Sequence, residues 1–123
     1  MKSRSIHTQM HHEIADKTLF EQAKSYAFDY MDAITGRTVY PDQKALQNLS
    51  IFEEPMPETP LSGDDVLRLL HEYGSPATVA QTGGRYFGFV IGNVIPAALA
   101  ARWLADTWDQ NPARYVISPI VAK

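Results

Sequence analysis

Four prolines between Pro41 and Pro60 limit what this chain can form more than any other feature. Each proline removes a backbone donor and fixes φ, so repeated prolines favour an extended conformation. Residues 37–61 are therefore predicted to wrap across a surface as an extended arm, with a short helical turn at residues 44–49. Such an arm is uncommon in a self-contained domain of 123 residues. It indicates neighbours that lie outside this polypeptide.

A first helix is predicted before the arm, because apolar side chains recur there at steps of three and four. Thr18 and Glu21 have the spacing of a capping box, and Gly36 suits the C′ position. The apolar stripe is wide and rich in tyrosine, which indicates contact with more than one neighbour. It consists of Leu19, Phe20, Ala23, Tyr26, Ala27, Tyr30, Met31 and Ile34.

Two further helices are predicted after the arm. The second begins at Ser62, which forms an N-cap with Asp65, and ends at Gly74. The third begins at Pro96 and is stopped by the Asn111-Pro112 pair. The predicted fold is therefore mainly α, with three helices joined by a proline-rich extended arm and a short aromatic-glycine segment. The buried faces are predicted to be Val66, Leu67, Leu70 and Tyr73 in the second helix, and Leu99, Trp103, Leu104 and Trp108 in the third.

Composition excludes several classes of function. The net charge of −3 gives no basic surface for nucleic acid. The chain has no cysteine, which removes disulfides and thiolate catalysis. Residues 1–14 are predicted to be a polar, poorly ordered start without a secretory signal, so the cytoplasm is the expected compartment. The uncharged run after Arg85 contains Asn93 and Pro96 and is too short for a membrane span, so no membrane partner is expected.

No complete catalytic set is present in the sequence. His7, His11, His12 and Glu13 could hold a metal ion on a helix, but no matching ligands occur elsewhere, so no metal site is predicted. His71 is predicted to lie at the surface or at the core boundary. The glycines of residues 83–92 match neither common phosphate-binding pattern. We therefore assign no catalytic residue.

The aromatic-glycine segment, residues 83–92, has two interpretations. In one, Tyr86, Phe87, Phe89, Val90 and Ile91 form a buried strand, and the glycines permit close packing. In the other, the same side chains line an apolar pocket, where glycine lets a ligand approach the backbone. Residue patterns alone favour the strand.

The order of motifs in the second half resembles the N-terminal region of group II pyridoxal-phosphate-dependent amino-acid decarboxylases. These include the aromatic-amino-acid, tyrosine and glutamate decarboxylases. The motifs are "RYFGF" from Arg85, "GNVIPAALA" from Gly92 and "SPIVAK" from Ser118, preceded by the arm and second helix "EEPMPETPLSGDDVLRLLHEYGSPAT". The resemblance covers most of residues 19–123. Each motif is moderately specific, and their order and spacing carry the match.

The resemblance implies that residues 15–123 are the helical N-terminal part of a larger pyridoxal-phosphate-dependent transferase-type fold. It implies a homodimer, and it places Phe87, Gly88, Phe89 and Val90 in the wall of the substrate pocket. Asn111, Pro112 and Ala113 would reach toward the partner's site. The family's cofactor lysine, stacking histidine and pyridine-pairing aspartate have no counterparts here, and Lys123 is not the cofactor lysine. Pyridoxal phosphate is therefore expected in the full-length enzyme but not in this fragment.

The chain also contains the start of another helix at Ser118-Pro119, with only residues 120–123 to build it. This pattern leads us to expect a truncated chain that lacks the cofactor domain and is not catalytic alone. Two alternatives stay open. The chain could be a stand-alone helical module that binds a protein through its tyrosine-rich stripe, or an inactive gene remnant.

Overall fold

The computed structural model describes residues 5–121, and these residues form helices, turns and loops without a β-strand. Five α-helices are present: α1 (Ile6–Asp16), α2 (Thr18–Ala33), α3 (Gln43–Asn48), α4 (Gly63–Leu69) and α5 (Pro96–Trp108). The mainly α fold is confirmed. The three predicted helices correspond to α2, to α4 with its continuation, and to α5.

Helix α1 lies where the sequence predicts a poorly ordered start. Its first turn is capped because the Ser5 hydroxyl accepts a hydrogen bond from the Thr8 amide at 3.3 Å. One turn further, the side-chain amide of Gln9 donates to the Glu13 carboxylate at 2.8 Å. These local bonds stabilise a helix whose apolar residues, Ile6, Met10 and Ile14, are all exposed. Residues 1–4 of that prediction lie outside the described residues.

The predicted capping box at the start of α2 does not form. Lys17 adopts a left-handed conformation with φ 66°, and its amide bonds the Glu13 carbonyl at 3.3 Å, which closes α1. The same residue is the N-cap of α2, so Thr18 is already inside that helix. The Thr18 hydroxyl hydrogen-bonds Asp16 and not the backbone of its own helix. One residue therefore ends one helix and begins the next.

The proline-rich arm is less extended than predicted. Asp42 caps α3 by accepting from the Ala45 amide at 2.8 Å, and a 3₁₀ helix over Leu49–Glu53 follows directly. The predicted short helical turn is therefore confirmed and longer than expected. The prolines at residues 55–60 then keep the chain out of regular structure as far as the N-cap of α4.

Helices α2 and α4 lie side by side and run in the same direction. A Cβ on Gly63 would approach the Leu19 side chain to 2.8 Å, so glycine permits close contact at the start of both helices. One turn further, the Gln22 amide donates to the Asp64 carbonyl at 3.2 Å. Helix α4 continues as a π-helix over Leu70–Gly74 and a 3₁₀ turn over Ser75–Ala77. The predicted Ser62 N-cap is present, with the Asp65 amide donating at 3.1 Å.

The described residues bury little. Among residues 5–121 the buried positions are Pro41, Ala45, Ala80 and Ser118. The predicted buried faces of the second and third helices are largely exposed at Val66, Leu70, Trp103, Leu104 and Trp108. The chain exposes 10335 Å² of surface, whereas a compact protein of this length exposes about 6,600 Å². The apolar faces of the helices are therefore exposed at the surface and do not form a closed core.

Candidate functional site: an open aromatic groove

A groove of about 650 Å³ lies between α2, α4 with its π-helical turn, and α5. Its floor comes from the tyrosine-rich stripe of α2, which the sequence predicts to cover more than one neighbour. Trp103 of α5 stacks against Phe28 of α2 with ring centroids 6.3 Å apart and so joins the third helix to the groove. The principal lining residues are Ala23, Tyr26, Tyr30, Met31, Leu67, Leu70, Leu99 and Trp103.

A stacked pair lies on one side of the groove. The rings of Tyr26 and His71 are 3.9 Å apart and 7° from parallel. His71 belongs to the π-helical turn that extends α4 at its C-terminal end. The Tyr26 hydroxyl also accepts a hydrogen bond from the Gln22 amide at 3.2 Å. Both rings are therefore held in position before any ligand binds.

A second polar cluster lies at the end of α2. The Tyr30 hydroxyl and the Thr78 hydroxyl are 2.9 Å apart. The Arg37 guanidinium lies 4.5 Å from the centre of the Tyr30 ring and donates to the Ser75 hydroxyl at 3.3 Å. This cluster fixes the segment after the π-helix to the end of α2.

The lining of the groove is mainly apolar and aromatic. Its lining contains tyrosine, histidine, serine and threonine but no lysine, arginine, aspartate or glutamate. Large apolar and aromatic side chains with a few convergent polar groups are typical of a site for an apolar or aromatic surface.

The four residues predicted to form a pocket wall lie outside this groove. Phe87, Phe89 and Val90 are 91%, 90% and 104% exposed, so the alternative of a buried strand is wrong. Phe89 and Val90 both have positive φ, 55° and 57°. The Ile91 amide bonds the Gly88 carbonyl at 3.2 Å, which closes a turn across them. Gly88 itself lies against the Tyr86 ring, where an added Cβ would be 2.5 Å from the hydroxyl oxygen.

The predicted cross-dimer loop is also on the surface. Helix α5 ends earlier than the Asn111-Pro112 pair, because Asp109 adopts a left-handed conformation with φ 47° and its amide bonds the Ala105 carbonyl. Asn111 then forms a turn in which its side chain accepts from the Ala113 amide at 2.9 Å. Ser118-Pro119 begins no helix within residues 118–121, and Ala122 and Lys123 lie outside the described residues.

One charged network lies at the start of α4, away from the groove. Arg68 donates to the Asp65 carboxylate at 2.8 Å, and the Ser62 hydroxyl donates to the same carboxylate at 2.8 Å. The bond from Arg68, followed by that from Ser62, holds the pKa of Asp65 below its usual value. The same bond raises the pKa of Arg68. This arrangement supports the helix start and has no reacting partner beside it.

The sequence did not predict the Tyr26–His71 pair. Both residues are visible in the sequence, but their contact depends on α2 and α4 running parallel across the intervening arm. A histidine on the apolar side of a predicted helix was the available signal, and it is too common to identify a site. The π-helical turn that carries His71 has no sequence pattern of its own.

Comparison with known proteins gives no relative from which a function could be carried over. No family model matches the chain, and no curated protein or solved structure matches it significantly. Within residues 5–121, no helix has both the length and the apolar character that crossing a membrane requires. The same residues contain no group of three or more histidine, cysteine, aspartate or glutamate side chains arranged to hold a metal ion.

Proposed function

We propose that this chain is the N-terminal dimerisation and pocket-wall segment of a pyridoxal-phosphate-dependent amino-acid decarboxylase. One observation carries the proposal. The motifs "RYFGF", "GNVIPAALA" and "SPIVAK" occur in an order and at a spacing that resemble those of the N-terminal regions of group II decarboxylases. The substrate would be an amino acid, and the compartment would be the cytoplasm.

The exposed apolar surface supports the proposal that this chain is a segment that packs against another chain or domain. The chain exposes about half as much surface again as a compact protein of its length. Apolar patches beyond a few hundred Å² usually mark an interface. In the proposed enzyme, a second copy of the chain and the cofactor domain would cover α2, α4 and α5.

The exposure of Phe87, Phe89 and Val90 supports the pocket-wall role in the same way. These side chains make an apolar projection with no cover from their own chain. Backbone held in a sparsely populated conformation, as at Phe89 and Val90, is concentrated at sites where surrounding structure fixes it. In the full-length enzyme, that surrounding structure would be the substrate pocket.

The groove of this chain does not fit pyridoxal phosphate. The cofactor needs a lysine for its covalent attachment and donors for its phosphate, and neither lysine nor arginine lines the groove. The cofactor would supply an electron sink for decarboxylation, and its lysine, stacking histidine and aspartate would belong to another part of the enzyme. This chain would contribute shape, apolar contact and dimer surface.

A reduction experiment tests whether this chain lacks a cofactor lysine of its own. The purified chain is incubated with pyridoxal phosphate, reduced with borohydride and mapped by mass spectrometry. The expected result is weak labelling scattered over exposed lysines such as Lys24, whose amine pairs with Glu21 on the surface of α2. A stoichiometric adduct at one specific lysine would contradict the proposal.

A second candidate function is a stand-alone helical module that binds a protein partner. The groove along α2 favours it, because tyrosine, methionine and tryptophan are the side chains enriched at interfaces. Such a module would bind through the groove with Phe87 and Phe89 playing no part. Substitution of these two residues separates the candidates, since only the decarboxylase proposal gives them a role. If the chain is an inactive gene remnant, neither substitutions in the groove nor substitutions of Phe87 and Phe89 would change a function.

A further inference from the structure

Two histidines on α1 lie in contact on the surface of the chain. His7 and His11 are four residues apart, so they lie on the same side of the helix. Their Nε2 atoms are 3.2 Å apart, and their ring centroids are 4.4 Å apart. Both side chains are exposed, and one nitrogen donates a hydrogen bond to the other. The ring nitrogens that bind metals in proteins therefore converge on one point in the solvent.

The separation of these nitrogens matches that of two ligands on one ion. Zinc–nitrogen bonds of about 2.05 Å at a tetrahedral angle place two nitrogens about 3.4 Å apart. The same bond length at a right angle, as in square-planar or octahedral coordination, places them about 2.9 Å apart. The observed 3.2 Å lies between these values. An ion could replace the shared hydrogen bond with little movement of either ring.

We propose that His7 and His11 form a two-histidine site for a divalent transition-metal ion such as Cu²⁺, Ni²⁺ or Zn²⁺. Imidazole suits all three ions, and Cu²⁺ binds such a site most tightly. Among the described residues no third side chain completes the site, which leaves the remaining coordination positions of the ion to water. The proposal is independent of the decarboxylase proposal, because α1 precedes the region that carries the resemblance.

The site depends on the helix and in turn stabilises it. The sequence predicts no metal site because matching ligands are lacking elsewhere, and it predicts a poorly ordered segment here. In the structure, the helix alone brings two ligands together. An unfolded segment holds the imidazoles apart, so a bound ion favours helical α1 by mass action. Metal binding and helix formation are therefore coupled at the N-terminal end of the described chain.

His12 provides a matched control. It is adjacent to His11 in sequence and exposed on the same helix, but it is turned about 100° away around the helix axis. Alanine at any of the three positions keeps the helix, because alanine has the highest helix propensity. A change in metal binding among these variants therefore reports ligand geometry and not unfolding.

The test is a Cu²⁺ titration by calorimetry of the full chain and of the His7→Ala, His11→Ala and His12→Ala variants. One ion per chain is expected for the parent and for His12→Ala, with affinities within about twofold of each other. His7→Ala and His11→Ala should each bind about tenfold to a hundredfold more weakly, because the second ligand no longer binds intramolecularly. Equal losses in all three variants would overturn the proposal.

Far-UV circular dichroism gives a second readout on the same samples. Zn²⁺ should increase the helical signal of the parent and of His12→Ala but not of the other two variants. Stoichiometry separates a site within one helix from a bridge between two chains. A ratio of one ion to two chains would contradict a chelate formed by His7 and His11 of a single helix.

Discussion

The imidazole ring of His71 lies flat against the phenol ring of Tyr26, with ring centroids 3.9 Å apart and planes 7° from parallel. Tyr26 belongs to α2, and His71 belongs to the π-helical turn that follows α4. The stack therefore fixes the widened turn to its neighbouring helix at the side of the groove.

The stack should contribute measurably to stability. Stacked aromatic pairs are worth about 0.5–1.5 kcal/mol beyond the area they bury. We expect His71→Ala to lower the free energy of unfolding by about 1 kcal/mol, measured by urea denaturation. The matched control His12→Ala removes an exposed histidine and should change stability by less than about 0.5 kcal/mol. A double-mutant cycle with Tyr26→Leu isolates the pair, and strict additivity would contradict the contact.

The start of α4 should lose stability in acid. Because Arg68 and Ser62 lower the pKa of Asp65 in the folded chain, the ionised carboxylate favours folding. This contribution is fully present above the usual aspartate pKa of 3.8 and is lost as the pH falls through the lower folded pKa. We expect Asp65→Asn to be less stable than the parent at pH 7 and to approach it at low pH.

Asp64→Asn is the control for that experiment. The substitution Asp64→Asn removes the same charge from the same first turn of α4. Arg68, however, donates its hydrogen bond to Asp65. The difference in urea midpoint between the two variants should therefore be present at pH 7 and shrink as the pH falls below 3.8. A difference that grows in acid would show the sign of the Asp65 contribution to be wrong.

Val90 should be a strained position. Its φ of 57° is unfavourable for a β-branched residue, costing about 1–2 kcal/mol relative to right-handed backbone. Val116 is also exposed but has no positive φ. We expect Val90→Gly to be more stable than Val116→Gly by about 1–2 kcal/mol, because glycine relieves strain only at residue 90. Equal effects in thermal unfolding would mean that Val90 adopts ordinary backbone in solution.

The groove should be an interface between copies of the chain. Trp103 lines the groove, whereas Trp108, one turn and a half further along α5, does not. Their exposures are similar, 41% and 49%. We expect the chain to self-associate at micromolar concentration in sedimentation velocity, and we expect Trp103→Ser to weaken association more than Trp108→Ser does. A compact monomer with sharp unfolding at that concentration would contradict this prediction.

The helices could be predicted because their determinants are local. The apolar stripe of α2, the Ser62 N-cap of α4 and the proline at the start of α5 each act within a few residues, and all three helices form where these patterns occur. Helix α1 was missed because its apolar period is short, with only Ile6, Met10 and Ile14 at steps of four, and the residues between them are mostly polar.

The groove could not be predicted because it depends on contacts between distant residues. Gly63 against Leu19, His71 against Tyr26 and Thr78 against Tyr30 are each separated by more than forty positions. Helical periodicity gives the side of a helix that is apolar, but it does not give the neighbour that covers it. For the same reason, the predicted burial of Trp103 and Leu104 was wrong, since the stack of Trp103 on Phe28 leaves these side chains 41% and 53% exposed.

The central claim, that the chain is the leading segment of a pyridoxal-phosphate-dependent decarboxylase, is tested most directly by sequencing the genomic DNA that follows the codon of Lys123. We predict that the same reading frame continues into a cofactor domain. That domain should contain a lysine for covalent attachment of the cofactor, a histidine to stack on its ring and an aspartate to pair with its nitrogen. A stop codon followed by DNA that encodes no such domain would contradict the claim.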